Sequence, residues 1–586
     1  MRDGSPGGTP APTEANAWAV TLACARVHAI TTSLSSGVLR IEQLAAAALL
    51  LVLVVSAFVV VRRVASEGVF SQNAGIVRAT LALALAVLAL RLALFPPSFV
   101  HANLHGPTIV DDILGAPAVA GGRGRGFGQT TFLVLGLVAR LAGRTFETVA
   151  RANAVCGVAS LVVAGLLAAR WSGRAVCLPL ALAVGALQPA LARIACSEDA
   201  HVMAGFFGLL ALLAADRYGE RRDRAALVLA VASTCLMLDS RQTFYPWAFF
   251  VPAVILARGG RAVARQPEAL AAFAVIAGAM TLRLLETGSS EPAQVLILPA
   301  ALGSVRSLGA LLVHHPLLDV RRYALGSLPL EVLGIVTARR WLGWRVYAVL
   351  LAATFLFTLP FGFPAVGVEC SFRTPALLLA VVAAAWGAER LWRGGPYLRA
   401  AFLALAVVGP VVLPSWSELR EPTPITREYL FVRDVARPAL GARFEIAELA
   451  PRDPMPSYRL ARFEIDAPRV DVYALPQADL ARGQVYFLRG LQCRARSGLE
   501  LTGVTSKVET LPFSQLRDMA VPAFEHTRPA GASSSEQRPE CTRILAGAEP
   551  VGPALTIDAG SDENPFVFYG DDSVQVQFYR LRPPPG

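Results

Sequence analysis

Two imidazoles, an amide and two adjacent carboxylates fall between residues 99 and 112: His101, Asn103, His105, Asp111 and Asp112. They follow directly on a long apolar run that closes at Phe95-Pro96-Pro97. Burying such groups unpaired near hydrocarbon is expensive, so a cluster of them at a membrane boundary marks a functional site by default. The chemistry within their reach is proton abstraction from a hydroxyl.

Further along, Gly121, Gly122, Gly124, Gly126 and Gly128 alternate with Arg123 and Arg125. Glycines permit close backbone approach to a ligand, and guanidinium groups grip phosphate. A second stretch, 192–201, holds Arg193, Glu198, Asp199 and His201 between two apolar runs. Asp239-Ser240-Arg241, His314-His315 with Asp319, Arg321 and Arg322, and Glu369 with Arg373 and Pro375 complete the set. Each has a plainer use as well. Glu198 and Asp199 can cap the following helix, Arg241 and Arg373 can snorkel to headgroups, and the Gly/Arg run can be a solvated loop. The paired histidines lack a third ligand at useful spacing, so no metal site is assigned. Taken together, acids occupy the first two of these loops and arginines the later ones. That order suits a site which binds a lipid phosphate and deprotonates an acceptor.

The elements that must position these residues are membrane helices. The 586-residue chain is 54% hydrophobic and 17% charged, with mean hydropathy +0.50; soluble proteins average about 25% charged. Apolar runs near 43–61, 77–95, 149–169, 175–192, 200–216, 225–239, 244–257, 269–287, 323–338, 346–364, 375–391 and 399–414 give about twelve spans at about 20 residues each. The run 131–142 is too short to span and suits an interfacial helix. The +11 net charge does not indicate nucleic acid, because the arginines alternate with apolar runs. The eight cysteines form no CxxC pair, which excludes a zinc-ribbon or thioredoxin signature. No cleavable leader is expected, since 18–30 is weakly apolar and broken by Arg26 and His28.

Arginine placement orients the spans. Alternate loops carry Arg62/Arg63/Arg78, Arg170/Arg174, Arg217/Arg221/Arg222/Arg224, Arg258/Arg261/Arg265, Arg339/Arg340/Arg345 and Arg390/Arg393/Arg399. That face is expected to be cytoplasmic. Loops 96–148, 193–199, 240–243, 288–322 and 365–373, the N-terminal tail 1–42 and everything after the membrane part 43–414 then lie outside. From about residue 415 the runs shorten and alternate, as at 458–465, 470–474, 484–489 and 574–579, which predicts strands. Residues 527–540 read as a loop. The expected fold is thus a mostly α, polytopic transmembrane bundle with a small extracytoplasmic α/β or mostly-β domain over 415–586. An oxidising compartment would permit a Cys493–Cys541 disulfide.

These motifs, in their order and sidedness, resemble the GT-C superfamily of polytopic glycosyltransferases, which includes protein O-mannosyltransferases and aminoarabinose transferases. The family's acidic motif in the first large outer loop is matched by Asp111-Asp112. Its Gly-containing interfacial segment is matched by Gly128-Gln129-Thr130-Thr131-Phe132 through Gly143-Arg144, and its Arg-Asn entry by Arg151-Ala152-Asn153. Its Arg-x-Ala-x-x-(Asp/Glu) loop is matched by Arg193-Ile194-Ala195-Cys196-Ser197-Glu198-Asp199, and its late loop by Glu369, Arg373 and Pro375. The resemblance covers about 77–415. The chain departs from it in having a span at 43–61 ahead of the core and Asp-Asp where Asp-Glu is common; the C-terminal domain has no recognised counterpart.

The resemblance implies an inverting transfer of sugar from a polyprenyl-phosphate donor to a lipid, glycan or protein acceptor at the outer face of the bacterial inner membrane. It implies Asp111 as general base, with Asp112 as the alternative. Glu198 and Asp199 would orient the acceptor or the base, or hold a divalent cation if one is used. His101 and His105 would contact sugar or tune the aspartate. Arg373, Arg241, Arg321, Arg322 and Arg193 would face the donor phosphate. The main rival is a transporter, for which Arg91 and Arg283 within spans speak, although transporters place sites at the midplane, often within internal repeats. A polysaccharide polymerase or ligase is chemically close, and an assembly or sensor protein working through its C-terminal domain is the third.

Overall fold

The computed structural model describes residues 41, 43–99, 109–110, 113–115, 129–241, 244–287, 328–358, 374–404, 422, 424–448, 469–472, 475, 477–490, 493, 539–558 and 573–583. Expectations for the N-terminal tail, for His101, His105, Asp111, Asp112, Arg123, Arg125, Arg321, Arg322, Glu369 and Arg373, and for a strand at 458–465 lie outside these residues.

The chain is a multi-pass membrane protein, built mainly of helices. Among the described residues, four of them are long and apolar enough to cross a membrane: α1 (Gln43–Ala65), α2 (Ala74–Leu94), α4 (Phe146–Ser172) and α7 (Ala200–Arg221). Around them stand α3 (Gln129–Ala142), α5 (Cys177–Ala186), α6 (Pro189–Ala195), α8 (Arg224–Ser240), α9 (Tyr245–Ala264), α10 (Pro267–Thr287), α11 (Leu328–Ala338), α12 (Gly343–Thr358), α13 (Thr374–Arg393) and α14 (Pro396–Leu403). Each of the twelve apolar runs in the sequence therefore contains a helix. The run 175–192 differs in being broken. Gln188 is extended because the pyrrolidine of Pro189 disfavours a helical residue before it, and α6 starts afresh at the proline. Helix α7 is central and nearly all buried, whereas α1 leaves Leu51, Val54, Val55 and Phe58 exposed, as a lipid-facing surface requires.

Between helices in lipid there is little hydrophobic drive, so close packing and hydrogen bonds must hold the bundle. Helices α11 and α13 cross where a Cβ on Gly334 would strike the Ala383 backbone and one on Gly387 the Leu330 carbonyl. Two buried indoles tie neighbours together: Trp386 Nε1 donates to the Ala168 carbonyl at 3.0 Å and Trp247 Nε1 to that of Gly208 at 3.1 Å.

The basic loops meet at one end of the bundle. Glu67, between α1 and α2, accepts from Arg170 and Arg217. Asp216 accepts from Arg170 Nε at 2.7 Å, Trp171 Nε1 at 2.8 Å and Arg258 Nε at 2.6 Å. Asp223 caps α8 and pairs with Arg217 Nε at 2.8 Å and with Arg63. Glu389 takes Arg174 and Arg393, and the Arg174 guanidinium lies over Trp341. Six loops far apart in sequence thus converge, as the alternation of arginine-rich loops requires.

After the bundle, α15 (Pro424–Leu440) leads into β1 (Glu445–Glu448), β2 (Arg469–Asp471), α16 (Gln477–Ala481), β3 (Val485–Arg489), α17 (Pro539–Leu545), β4 (Glu549–Asp558) and β5 (Ser573–Arg580). The sheet order is β2-β1-β3-β5-β4. β1 is parallel to β2 and β3, and the β3/β5 and β5/β4 pairs are antiparallel. This part is α/β. β1 and β4 fall outside the segments expected to be strands; β4 carries Pro550, Gly552 and Pro553, and its ladder shifts register between Val551 and Leu555. The expected loop 527–540 yields at its end to α17, which begins at Pro539. Cys493 and Cys541 form a disulfide that joins the chain beyond β3 to α17.

Candidate functional site

The end of the bundle opposite the basic loops gathers buried polar groups from four loops. The sequence order Asp111-Asp112 is bracketed by Ile109, Val110, Ile113 and Leu114, all nearly or fully buried. The turn carrying Ile113 packs on α3 so closely that a Cβ on Gly136 would come 3.3 Å from the Ile113 carbonyl.

The long 96–148 loop is fastened where it enters. Ser98 N–H donates to the Cys196 carbonyl at 3.1 Å, which joins it to the 193–199 loop. Phe99 N–H donates to Thr426 Oγ1 at 2.9 Å. The Phe99 ring stacks on Phe146 with centroids 4.1 Å apart and meets Tyr429 edge-on at 5.0 Å. The loop is fastened again where α3 begins. Asp239 Oδ2 accepts from both the backbone N–H (2.6 Å) and the hydroxyl of Thr130, while Oδ1 pairs with Arg283. Thr131 Oγ1 adds a 3.3 Å bond to the Ser240 carbonyl. The carboxylate satisfies a buried N–H that the first turn of a helix leaves without an intrahelical partner, and is itself charge-compensated by Arg283.

The 193–199 loop, read from the sequence as a short outer loop, is interior to the protein: Ser197, Glu198, Asp199 and His201 are all 0% exposed. Neighbouring elements enclose it. Asn153 of α4 donates from Nδ2 to the carbonyls of Ser197 (2.8 Å) and Asp199 (3.2 Å). That gives the Arg-Asn entry a physical role: its amide braces the acidic loop while Arg151 stays exposed. Asp199 caps α7, accepting from the His201 backbone at 3.0 Å, so the expected capping use is realised. Its Oδ1 also lies 2.6 Å from His201 Nδ1. On the far side of the ring, Arg241 Nε–H donates to His201 Nε2 at 3.3 Å. A nitrogen that accepts cannot carry the proton, so the imidazole proton sits on Nδ1, facing Asp199. Arg241, 4% exposed, is thus held from behind rather than snorkelling. Arg193 is likewise buried, at 8% exposed.

Of the expected site residues that are described, Asp199 and Arg241 are brought together through His201. Glu198 and Arg193 lie buried in the same loop as Asp199. Sequence reasoning gave no role to His201, Thr130 or Thr426. The Asp-x-His spacing at a helix start was the available signal for the first; nothing local marks the other two. Arg283, which stood out as an isolated charge in a span, is the partner of Asp239. Arg91 is 2% exposed, donates to the Gly185 carbonyl at 3.4 Å, and sits where Gly157 leaves room beside Ala195. Among the described residues, no group of three His, Cys, Asp or Glu side chains could hold a metal ion.

No protein-family model matches the chain, and no curated protein matches it. Among solved structures, the chain is similar to ArnT from Cupriavidus metallidurans. In the crystal structure of ArnT bound to undecaprenyl phosphate, the identity is 12%, with 71% of this chain and 93% of that chain covered and a TM-score of 0.43. In the apo structure it is 13%, with 86% and 98% covered and a TM-score of 0.47.

Proposed function

We propose that the chain is an integral membrane glycosyltransferase. It moves a sugar from a polyprenyl-phosphate donor to a lipid, glycan or protein acceptor at the extracytoplasmic face of the inner membrane. In this reading Asp111, or its neighbour Asp112, takes the proton of the acceptor hydroxyl. The acceptor oxygen forms a bond to the anomeric carbon as the bond from that carbon to the phosphate oxygen breaks. The configuration inverts and the polyprenyl phosphate departs as the anion. General-base help of this type contributes about 10²–10⁴-fold, and charge stabilisation of the leaving phosphate supplies the rest. Arg241, Arg193, Arg321, Arg322 and Arg373 are the candidates for that stabilisation. Glu198 and Asp199 orient the acceptor or the base, and a divalent cation, if used, would fall to them. His101 and His105 contact the sugar or tune the aspartate.

One observation carries the reading. The entrance of the loop bearing the two aspartates bonds directly to the acidic 193–199 loop, through Ser98 and Cys196, at the end of the bundle away from the arginine-rich loops. Acids so buried, with a buried arginine two side chains away, fit a water-poor phosphate site and have no use in a merely solvated loop.

The test is transfer of labelled sugar from polyprenyl-phosphate donor in membranes carrying Asp111→Asn, Asp112→Asn or both. One single variant and the double are expected to lose activity by at least the general-base factor. Full activity in all three would exclude either aspartate as the base.

A further inference from the structure

The role of the C-terminal α/β part follows from where its first helix touches the bundle. Helix α15 is not tethered loosely: Thr426, Tyr429 and Arg433 on it all reach the mouth of the 96–148 loop. Thr426 Oγ1 receives the Phe99 N–H at 2.9 Å and lies 3.1 Å from Ser98 Oγ. Tyr429 closes an aromatic triangle with Phe99 and Phe146, its ring 5.7 Å from that of Phe146. Arg433 pairs with Glu147 in the first turn of α4. Ser98, Phe99, Phe146, Thr426 and Tyr429 are buried to within 1%. On its other side the same helix is welded to the sheet, with Phe431 stacked on Phe578 at 6.0 Å.

The chain reaches this contact through Pro96 and Pro97, whose fixed φ angles make a stiff lead-in from α2. The next residue, Ser98, is bonded to the 193–199 loop. A displacement of α15 must therefore move Ser98 and Phe99, and with them the register between the two acid-bearing loops.

We propose that α15 is the positioning element of the 96–148 loop and that Thr426 is its hydrogen-bonding anchor. The C-terminal part then sets the geometry of transfer and is not an appended module for capturing acceptors. This rests on the transferase reading for its catalytic consequence, and on the contacts alone for its structural one. Misplacing a reacting group by about 1 Å costs on the order of a hundredfold in rate. Substrate binding spread over many contacts changes less.

The experiment compares full-length wild type, Thr426→Val and Thr426→Ser. Valine keeps the shape and removes the acceptor for the Phe99 amide; serine keeps the hydroxyl. Two readouts are taken on each: sugar transfer, separated into kcat and donor KM, and backbone amide exchange of the 95–115 stretch in detergent. Thr426→Val should lower kcat by about ten- to a hundredfold, leave donor KM within about twofold, and speed exchange at the Phe99 amide. Thr426→Ser should behave as wild type in both. Unchanged exchange in Thr426→Val would overturn the anchor whether or not the protein transfers a sugar. Faster exchange with unchanged kcat would overturn the catalytic consequence. A wild type inert towards every polyprenyl-phosphate sugar, with exchange still accelerated by Thr426→Val, would sink the transferase reading and keep the anchor.

Discussion

Arg241 donates from Nε to His201 Nε2 at 3.3 Å, and the opposite nitrogen of that ring lies 2.6 Å from Asp199. The imidazole is a spacer between a carboxylate that caps a helix and a guanidinium that is 4% exposed. Its Nδ1 proton faces the acid and its Nε2 lone pair is taken by Arg241, so the ring holds the two charged groups apart.

His201→Ala should therefore act through Arg241. Donor KM is expected to rise about tenfold, in line with the loss of a hydrogen bond to a charged group, while a double variant with Arg241→Ala should be little worse than Arg241→Ala alone. Arg241→Lys keeps the charge but has no Nε–H to meet the ring, so it should resemble His201→Ala. Steady-state kinetics over a donor titration checks all four proteins. Additive losses would mean that the two side chains work separately.

Asp239 is the anchor of the other end of the loop. Asp239→Asn removes the carboxylate that Arg283 pairs with, in a site where both side chains are largely buried. Removing one partner of such a pair typically costs about 3–5 kcal/mol. Thermal unfolding in detergent should show it, and Asp239→Asn with Arg283→Met should recover part of the loss because no uncompensated charge remains. Equal melting of wild type and Asp239→Asn would contradict the fastening.

At the basic end, Asp223 titrates below the ordinary aspartate value. Burial alone would raise it, but the hydrogen bond from Arg217 and the charges of Arg63 and Arg217 win, with the Ala225 N–H adding to them. The sign follows from linkage: a carboxyl depressed in the folded protein contributes stability above its unfolded pKa of about 3.9, and loses it as pH falls through the lower folded value. Wild-type melting temperature should thus drop on acidification below about pH 4, and an Asp223→Asn protein should show a shallower drop. Parallel pH profiles would remove Asp223 from that account.

Much of the bundle was legible because apolar length is a physical necessity in lipid: a run such as 200–216 can hardly be anything but a helix. Arginine counting paired the loops correctly because Glu67, Asp216 and Glu389 needed partners from the same end. The break at Gln188 was legible in principle from Pro189. Burial of Glu198 and Asp199 was not, since charge in a short loop reads as surface until Asn153 and His201 are seen to enclose it. Thr130 and Thr426 were invisible for a different reason. A threonine hydroxyl becomes an anchor only through a partner more than a hundred residues away in each case.

Glu67 has a consequence for biosynthesis. It sits in the hairpin between α1 and α2, yet its guanidinium partners Arg170 and Arg217 lie 103 and 150 residues further along the chain, with Arg221 a third at 3.6 Å. While the ribosome is still making that distance, the α1–α2 hairpin can insert but cannot lock. Its carboxylate is hydrated, and only the arrival of α4 and then α7 draws it out of water.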